Sequence, residues 1–216
     1  MKKSALLVLL LLYALSSYAL EGKNSLSPSS LYIGALGGGG STTWYGLVPK
    51  LENQNLALGM SMPTEVKEGG SVWGAFAGYE FTRTFAIEMS YMHYPNATIT
   101  FDPMSLFSFL NDDLVTFTTK TETVDLKAKF MVPLPRSNFR VFSSVGAAGV
   151  HRNDLLVNQW HISPAFSAGI NYHMTDHLMG EIAGNYTAGF GEAQLNPSDS
   201  YFPFLYSIVF RLAYCI

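Results

Sequence analysis

The stretch Pro203-Phe204-Leu205-Tyr206-Ser207-Ile208-Val209-Phe210-Arg211-Leu212-Ala213-Tyr214-Cys215-Ile216 decides how the rest of the sequence is read. From Phe204 onward every second residue is large and apolar: Phe204, Tyr206, Ile208, Phe210, Leu212, Tyr214 and Ile216. The residues between them are smaller on average and include a full charge at Arg211. A period of two is the signature of a strand. In a water-soluble protein an apolar face of that length needs a second layer to bury it. In a bilayer the same pattern reads as lipid on one side and a packed lumen on the other, with aromatics at the interfaces.

Working upstream, the same period recurs. The segment from about Leu178 to Phe190 sets Leu178, Ile182, Tyr186 and Phe190 on one face and Met179, Glu181, Asn185 and Thr187 on the other. From about Ile162 to His173, Phe166, Ile170 and Tyr172 alternate with Ser163, Ser167 and Asn171. The clearest alternation runs from about Thr118 to Val132, where Val124, Leu126, Ala128 and Phe130 oppose Thr123, Asp125, Lys127 and Lys129. Strands at about 84–94 and 71–81 are joined by Thr82-Arg83 alone, which predicts a hairpin. A strand at about 139–150 carries small residues on both faces, so alternation leaves its facing open. The first strand, about 31–39, is rich in glycine, which permits the tight bends of a narrow barrel.

The reading is therefore all-β, an eight-stranded antiparallel up-and-down transmembrane β-barrel. The connections alternate between long (about 41–70, 95–116, 151–161 and 191–202) and short. That alternation is expected of a barrel with tight turns at one membrane face and longer loops at the other. Each strand reaches the roughly 9–11 residues a tilted crossing needs. Closure follows, because an open edge in lipid would leave backbone groups without partners.

The remaining chain fits an exported protein. Met1-Lys2-Lys3, the apolar run Ala5 to Leu15 and the small residues before Ala19 compose a secretory signal at 1–19. A polar periplasmic lead-in at 20–30 follows, and the barrel domain occupies 31–216. A cut after Ala19 removes Lys2 and Lys3, leaving eleven basic residues against 16 acidic ones, a balance of −5. That sign argues against a nucleic-acid partner, which calls for a basic stripe. Charged residues are 13% of the chain, against about 25% in soluble domains. After the leader no apolar run is long enough for a transmembrane helix. The single Cys215 has no second cysteine for an internal disulfide and reads as a small buried residue.

Two hairpins carry a family resemblance: Gly78-Tyr79-Glu80-Phe81-Thr82-Arg83-Thr84-Phe85-Ala86-Ile87-Glu88 and Gly169-Ile170-Asn171-Tyr172-His173-Met174-Thr175-Asp176-His177-Leu178. Both resemble the small outer-membrane barrels that include the membrane domain of outer-membrane protein A and outer-membrane protein X. The resemblance implies a Gram-negative outer-membrane protein surrounded by lipid and inserted by the barrel assembly machinery. Two departures stand beside it. The family usually ends on an aromatic residue where this sequence has Ile216, and no peptidoglycan-binding segment follows the barrel.

Alternation points Glu80, Glu88, Asp125, Lys127, Lys129, Glu181 and Arg211 into the lumen, with Arg140 beside them. In an eight-stranded barrel, just wide enough for side chains to fill, such charges form a paired structural core or line a narrow gated path for ions or small solutes. Outside the lumen, Trp44, Tyr45, Leu106, Phe107, Phe109 and Leu110 form a candidate interaction patch on the loops, either resting on the membrane or meeting a host surface or another protein. A third reading, a lipid-modifying enzyme, would use His161, Ser163 and Glu181 as base, nucleophile and carboxylate. Alternation turns Ser163 inward and sets Glu181 near mid-membrane, which opposes it. The five histidines show no metal-ligand spacing, and Gly37-Gly38-Gly39-Gly40 lacks the Lys-Ser/Thr of a phosphate loop. No cofactor is expected, and the sequence reads as non-enzymatic.

This two-faced wall is directly checkable. Nitroxides placed at Ile182 and Ile208 in lipid-reconstituted protein should be accessible to oxygen and shielded from water-soluble quenchers, and the reverse accessibility would invert the assignment of faces.

Overall fold

The computed structural model describes residues 30–44, 63–110, 112–190 and 201–216. The signal segment and nearly all of the lead-in, and with them Tyr45, the loop at 191–200 and the side chains of Leu106 and Leu110, lie outside the described residues.

Ten strands and one short helix follow in order: β1 (Ser30–Thr42), β2 (Pro63–Lys67), β3 (Gly70–Thr82), β4 (Phe85–His93), β5 (Ala97–Phe101), α1 (Leu106–Leu110), β6 (Thr116–Pro133), β7 (Phe139–Asn153), β8 (Asn158–His173), β9 (Leu178–Thr187) and β10 (Leu205–Cys215). Eight of the strands close a ring in the order β1, β3, β4, β6, β7, β8, β9, β10, every neighbour antiparallel. The ring is completed by β1 against β10, from Tyr32 opposite Cys215 to Thr42 opposite Leu205. The alternation read from sequence is the alternation of burial. In β10, Leu205, Ser207, Val209, Arg211, Ala213 and Cys215 are buried while the large residues between them are exposed. Ile208 reaches 71% exposure, Ile182 60% and Leu126 58% on this outer wall. For β7 the structure decides what sequence left open: Arg140, Phe142, Ser144, Ala148, Val150 and Arg152 face inward.

Two expected loops contain ordered structure. The connections at about 41–70 and 95–116 hold β2, β5 and α1, and β6 extends past the wall to meet them. Strand β5 pairs with the first residues of β6, and β2 pairs with β5, so the hairpin of β3 and β4 continues beyond the ring as a three-stranded apron. The continuation bends at Gly69, whose φ of +95° is the left-handed region that glycine occupies without strain. Sequence periodicity carries no signal for β2, whose Pro-Thr-Glu-Val-Lys does not alternate, whereas Ala97-Thr98-Ile99-Thr100-Phe101 of β5 does alternate and is legible as a short strand. The apron buries its own aromatic stack. Phe101 and Phe107 lie with ring centroids 4.1 Å apart and planes within 12°, and Phe117 lies 5.4 Å from Phe107. The third expected loop, about 151–161, is a turn at 154–157 between strands that both run further out than alternation suggested. Asp154 fixes it, its Oδ1 accepting from the amides of Leu156 and Val157 at 2.9 and 3.0 Å.

Truncation of a fully packed phenylalanine costs about 3–5 kcal/mol. Phe107→Ala should therefore loosen the apron and leave the ring intact. Trypsin should then cut earlier at Lys67 and Lys120 while the folded band keeps its boiling-dependent gel mobility, and unchanged cutting would mean that the stack does not hold the apron.

Candidate functional site

The charged lumen residues come from six of the eight wall strands, and the alternation of each strand turns them inward. Their contacts cross the barrel at three heights. In the middle, Glu88 (β4), Lys129 (β6), Glu181 (β9) and Arg211 (β10) form an alternating square. Strands β4 and β9 stand four places apart in the ring, as do β6 and β10, so like charges occupy opposite corners. Lys129 Nζ lies 3.2 Å from Glu88 Oε2 and 2.5 Å from Glu181 Oε2. Arg211 donates to Glu88 Oε1 at 2.6 Å and also to Glu181 Oε1. Tyr32 adds a hydroxyl bond to Glu88 Oε2 at 2.9 Å. Two cations meet two carboxylates, so the square is neutral.

All four charged groups are buried. A buried ion costs several kcal/mol to desolvate, and the geometry must repay it. Here each carboxylate is shared by both cations. Each cation also lies over an aromatic face: Lys129 Nζ is 4.2 Å from the Phe142 centroid and the Arg211 guanidinium 3.8 Å from that of Phe76. Beside the square, Lys127 pairs with Asp125 at 3.0 Å, and Ser90 donates to Asp125 at 2.6 Å.

Toward the turns at 83–84, 134–138 and 174–177, Arg140 on β7 reaches Glu80 on β3. Its two terminal nitrogens donate to the two carboxylate oxygens at 2.9 and 2.7 Å, and its Nε donates to Asn171 Oδ1 at 3.0 Å. At the opposite mouth Arg152, also on β7, lies with its guanidinium 4.9 Å over the ring of Trp44, which follows β1. Strand β7 stands four places from β1, so this contact spans the full opening. Arg152 further donates to Asp154 Oδ2 and to the Tyr201 carbonyl, each at 2.6 Å. Tyr201 closes the circuit by donating to the Thr43 carbonyl at 2.6 Å, its ring edge-on to Trp44 at 5.1 Å.

All seven charges expected in the lumen thus face inward, and Arg140 joins them. Their distribution differs from a uniformly polar interior. Val72, Met92, Val150, Phe202, Leu205 and Val209 form an apolar layer between the square and the mouth. The inward residues of β10 are mostly apolar, so they can support only a thin charged layer.

The loop patch is not assembled as expected. Trp44 and Phe107 are buried, Trp44 completely, because the mouth and the apron use them as internal packing. Phe109 alone of the described members is open, at 82% exposure. The set His161, Ser163 and Glu181 is not brought together either. His161 stacks on Phe190 at 4.0 Å, Ser163 is buried opposite Ala148, and Glu181 sits in the square opposite Asn171. Along β8, Asn171 is eight residues from Ser163, a separation of about 26 Å at the usual strand rise. Among the described residues no group of three His, Cys, Asp or Glu side chains is placed to hold a metal ion. Sequence reasoning missed Tyr32, Phe76, Phe142 and the span from Trp44 to Arg152. The even-numbered inward positions of β1 and β3 carried a signal for Tyr32 and Phe76. Nothing local carried one for Phe142, on a strand whose facing the sequence leaves open, or for the fourth.

Breaking a buried pair by removing one partner costs about 3–5 kcal/mol. Arg211→Met should lower the urea midpoint of the lipid-reconstituted barrel accordingly, and adding Glu181→Gln should recover more than half of the loss by restoring neutrality. A single variant as stable as the parent would show that the square contributes nothing.

Several solved structures share the fold at low identity. The outer membrane protein OprG of Pseudomonas aeruginosa is 14% identical, with 87% of this chain and 96% of that one aligned at a TM-score of 0.51. The outer membrane protein AlkL is 12% identical over 90% and 93% of the two chains at 0.53. Neisserial surface protein A is 9% identical over 88% and 99% at 0.50. No curated protein matches by sequence. The model of the OmpA-like transmembrane domain matches residues 31–214, the closed ring but for one residue at each end. This chain is therefore an outer-membrane β-barrel that belongs to the OmpA-like transmembrane domain family.

Proposed function

We propose that this protein is a non-enzymatic outer-membrane barrel whose lumen is a structural plug and whose work is done at the cell surface. The observation that carries the reading is the set of three cross-lumen contacts, Glu80 with Arg140, the central charge square, and Trp44 with Arg152. Each joins non-adjacent strands across the bore and pairs the charged groups it contains, which leaves the interior little free charge for a solute or a reaction. The separation of Ser163 from Glu181 argues in the same direction against acyl transfer.

Function then concentrates on what projects outward from a rigid scaffold. The apron turns Thr64, Glu65, Lys67, Thr118 and Lys120 to solvent, and Met104 and Phe109 stand exposed beside it. A mixed polar face next to exposed apolar side chains suits contact with a host surface or another protein. Delivery by a removable leader at 1–19 and insertion by the barrel assembly machinery belong to the same reading.

In planar bilayers the purified protein should give no stepwise conductance at either polarity. Discrete openings would replace this reading with that of a narrow gated pore, and altered lipid A acylation in cells carrying the protein would replace it with that of an enzyme.

A further inference from the structure

The lipid-facing wall carries a groove. Across β7, β8 and β9, one hydrogen-bonded row presents Ser143, Ala168 and Gly184, each opposite the next. Two residues nearer the outer mouth, the row reads Phe166, Tyr186 and Tyr206; two residues nearer the periplasmic turns, it reads Ile170, Ile182 and Phe210. A floor of small side chains therefore runs between two ridges of large ones. Ile208, opposite Gly184 on β10, stops the floor at one end. An open cavity of about 540 Å³ lies over this floor, bounded by Ile208 and the ridge of Phe166, Tyr186 and Tyr206, and it is lined in part by the inward-facing positions Ser144, Ser167, Asn185 and Ser207 between them.

The glycine in this floor is not demanded by the fold. A Cβ added at Gly184 would meet nothing closer than the Ala168 carbonyl oxygen, at 3.8 Å, and its φ is not positive. Gly146 and Gly169 differ, since a Cβ there would fall 1.9 and 2.1 Å from backbone oxygens. Glycine inside a strand weakens it and often marks a place where something approaches closely. At Gly184 nothing among the described residues makes that approach.

We propose that this groove seats one acyl chain of an outer-leaflet lipid A molecule. It is continuous with the lipid interface that the outer-membrane assignment establishes, so hydrocarbon is the medium around it. Its volume lies within the about 300–1,000 Å³ of sites that hold small organic ligands. The ridge on its outer side carries two tyrosines, Tyr186 and Tyr206, a residue type that gathers at headgroup level. The chain therefore enters from the outer leaflet, which in a Gram-negative outer membrane is the lipid A leaflet. The inference rests on the membrane placement and is independent of what the surface loops contact.

The test uses the full-length protein in vesicles of phosphatidylethanolamine and rough lipopolysaccharide, extracted gently and weighed by native mass spectrometry. Parent protein should retain one more lipid A adduct than Ala168→Leu/Gly184→Leu. Gly37→Leu, which places the same side chain on open wall with nothing within 4 Å of the new Cβ, should retain as many adducts as the parent. Gly184→Leu alone serves if the double variant loses its boiling-dependent gel mobility. Equal adduct counts in parent and groove variants would overturn the proposal. So would retention of phosphatidylethanolamine in place of lipid A, or loss of a dimer instead of a lipid.

Discussion

A strand in hydrocarbon has no water to satisfy its edge, and the whole molecule answers to that fact. Each unpaired backbone group in lipid costs several kcal/mol, so the first and last wall strands must find each other. They do so along eleven consecutive residue pairs of β1 and β10. Once the ring is closed, the side-chain period of two divides the sequence into an outer and an inner population with no freedom left. A shift of one residue in any strand would carry charges such as Lys129 or Arg211 into lipid and their apolar neighbours into the lumen.

The inner population then has to be satisfied within a bore only as wide as its side chains. The solution is layered. Four charged groups occupy one level where two carboxylates and two cations share partners, and aromatic faces beneath Lys129 and Arg211 supply further contact. The Glu80–Arg140 pair lies on the side of the tight turns, the Asp125–Lys127 pair and an apolar layer on the other, and a single guanidinium over an indole spans the mouth. The arrangement concentrates electrostatic cost where geometry can repay it. It also ties together strands that are distant in the ring, which opposes ovalisation of the barrel.

Beyond the membrane the constraint changes, because water again competes for backbone groups and an open edge is tolerated. The hairpin of β3 and β4 continues there as a short sheet with its own aromatic core, bent away at Gly69. This explains why two residues that look like surface anchors in the sequence, Trp44 and Phe107, are interior in the fold. An aromatic residue in a long connection is equally compatible with a rim position, a binding surface or a small satellite core. Only the neighbours that the chain brings to it decide among them.

The sequence by itself determined the class of fold, the eight wall strands and the facing of nearly every charged residue, because a bilayer imposes one rule on each strand independently and the period of two records it locally. It carries no period for β2, although the alternation of β5 was there to be read, and it leaves open the facing of β7, whose residues are small on both sides. Nor could it reveal that Lys129 bridges two carboxylates or that Arg152 covers Trp44. Those pairings depend on which strands stand opposite one another after closure, a relation between residues 52 and 108 positions apart that no local pattern encodes. Tertiary structure alone decided them, because the bore of the ring brings Lys129 to Glu181 and Arg152 to Trp44, side chains whose strands do not pair.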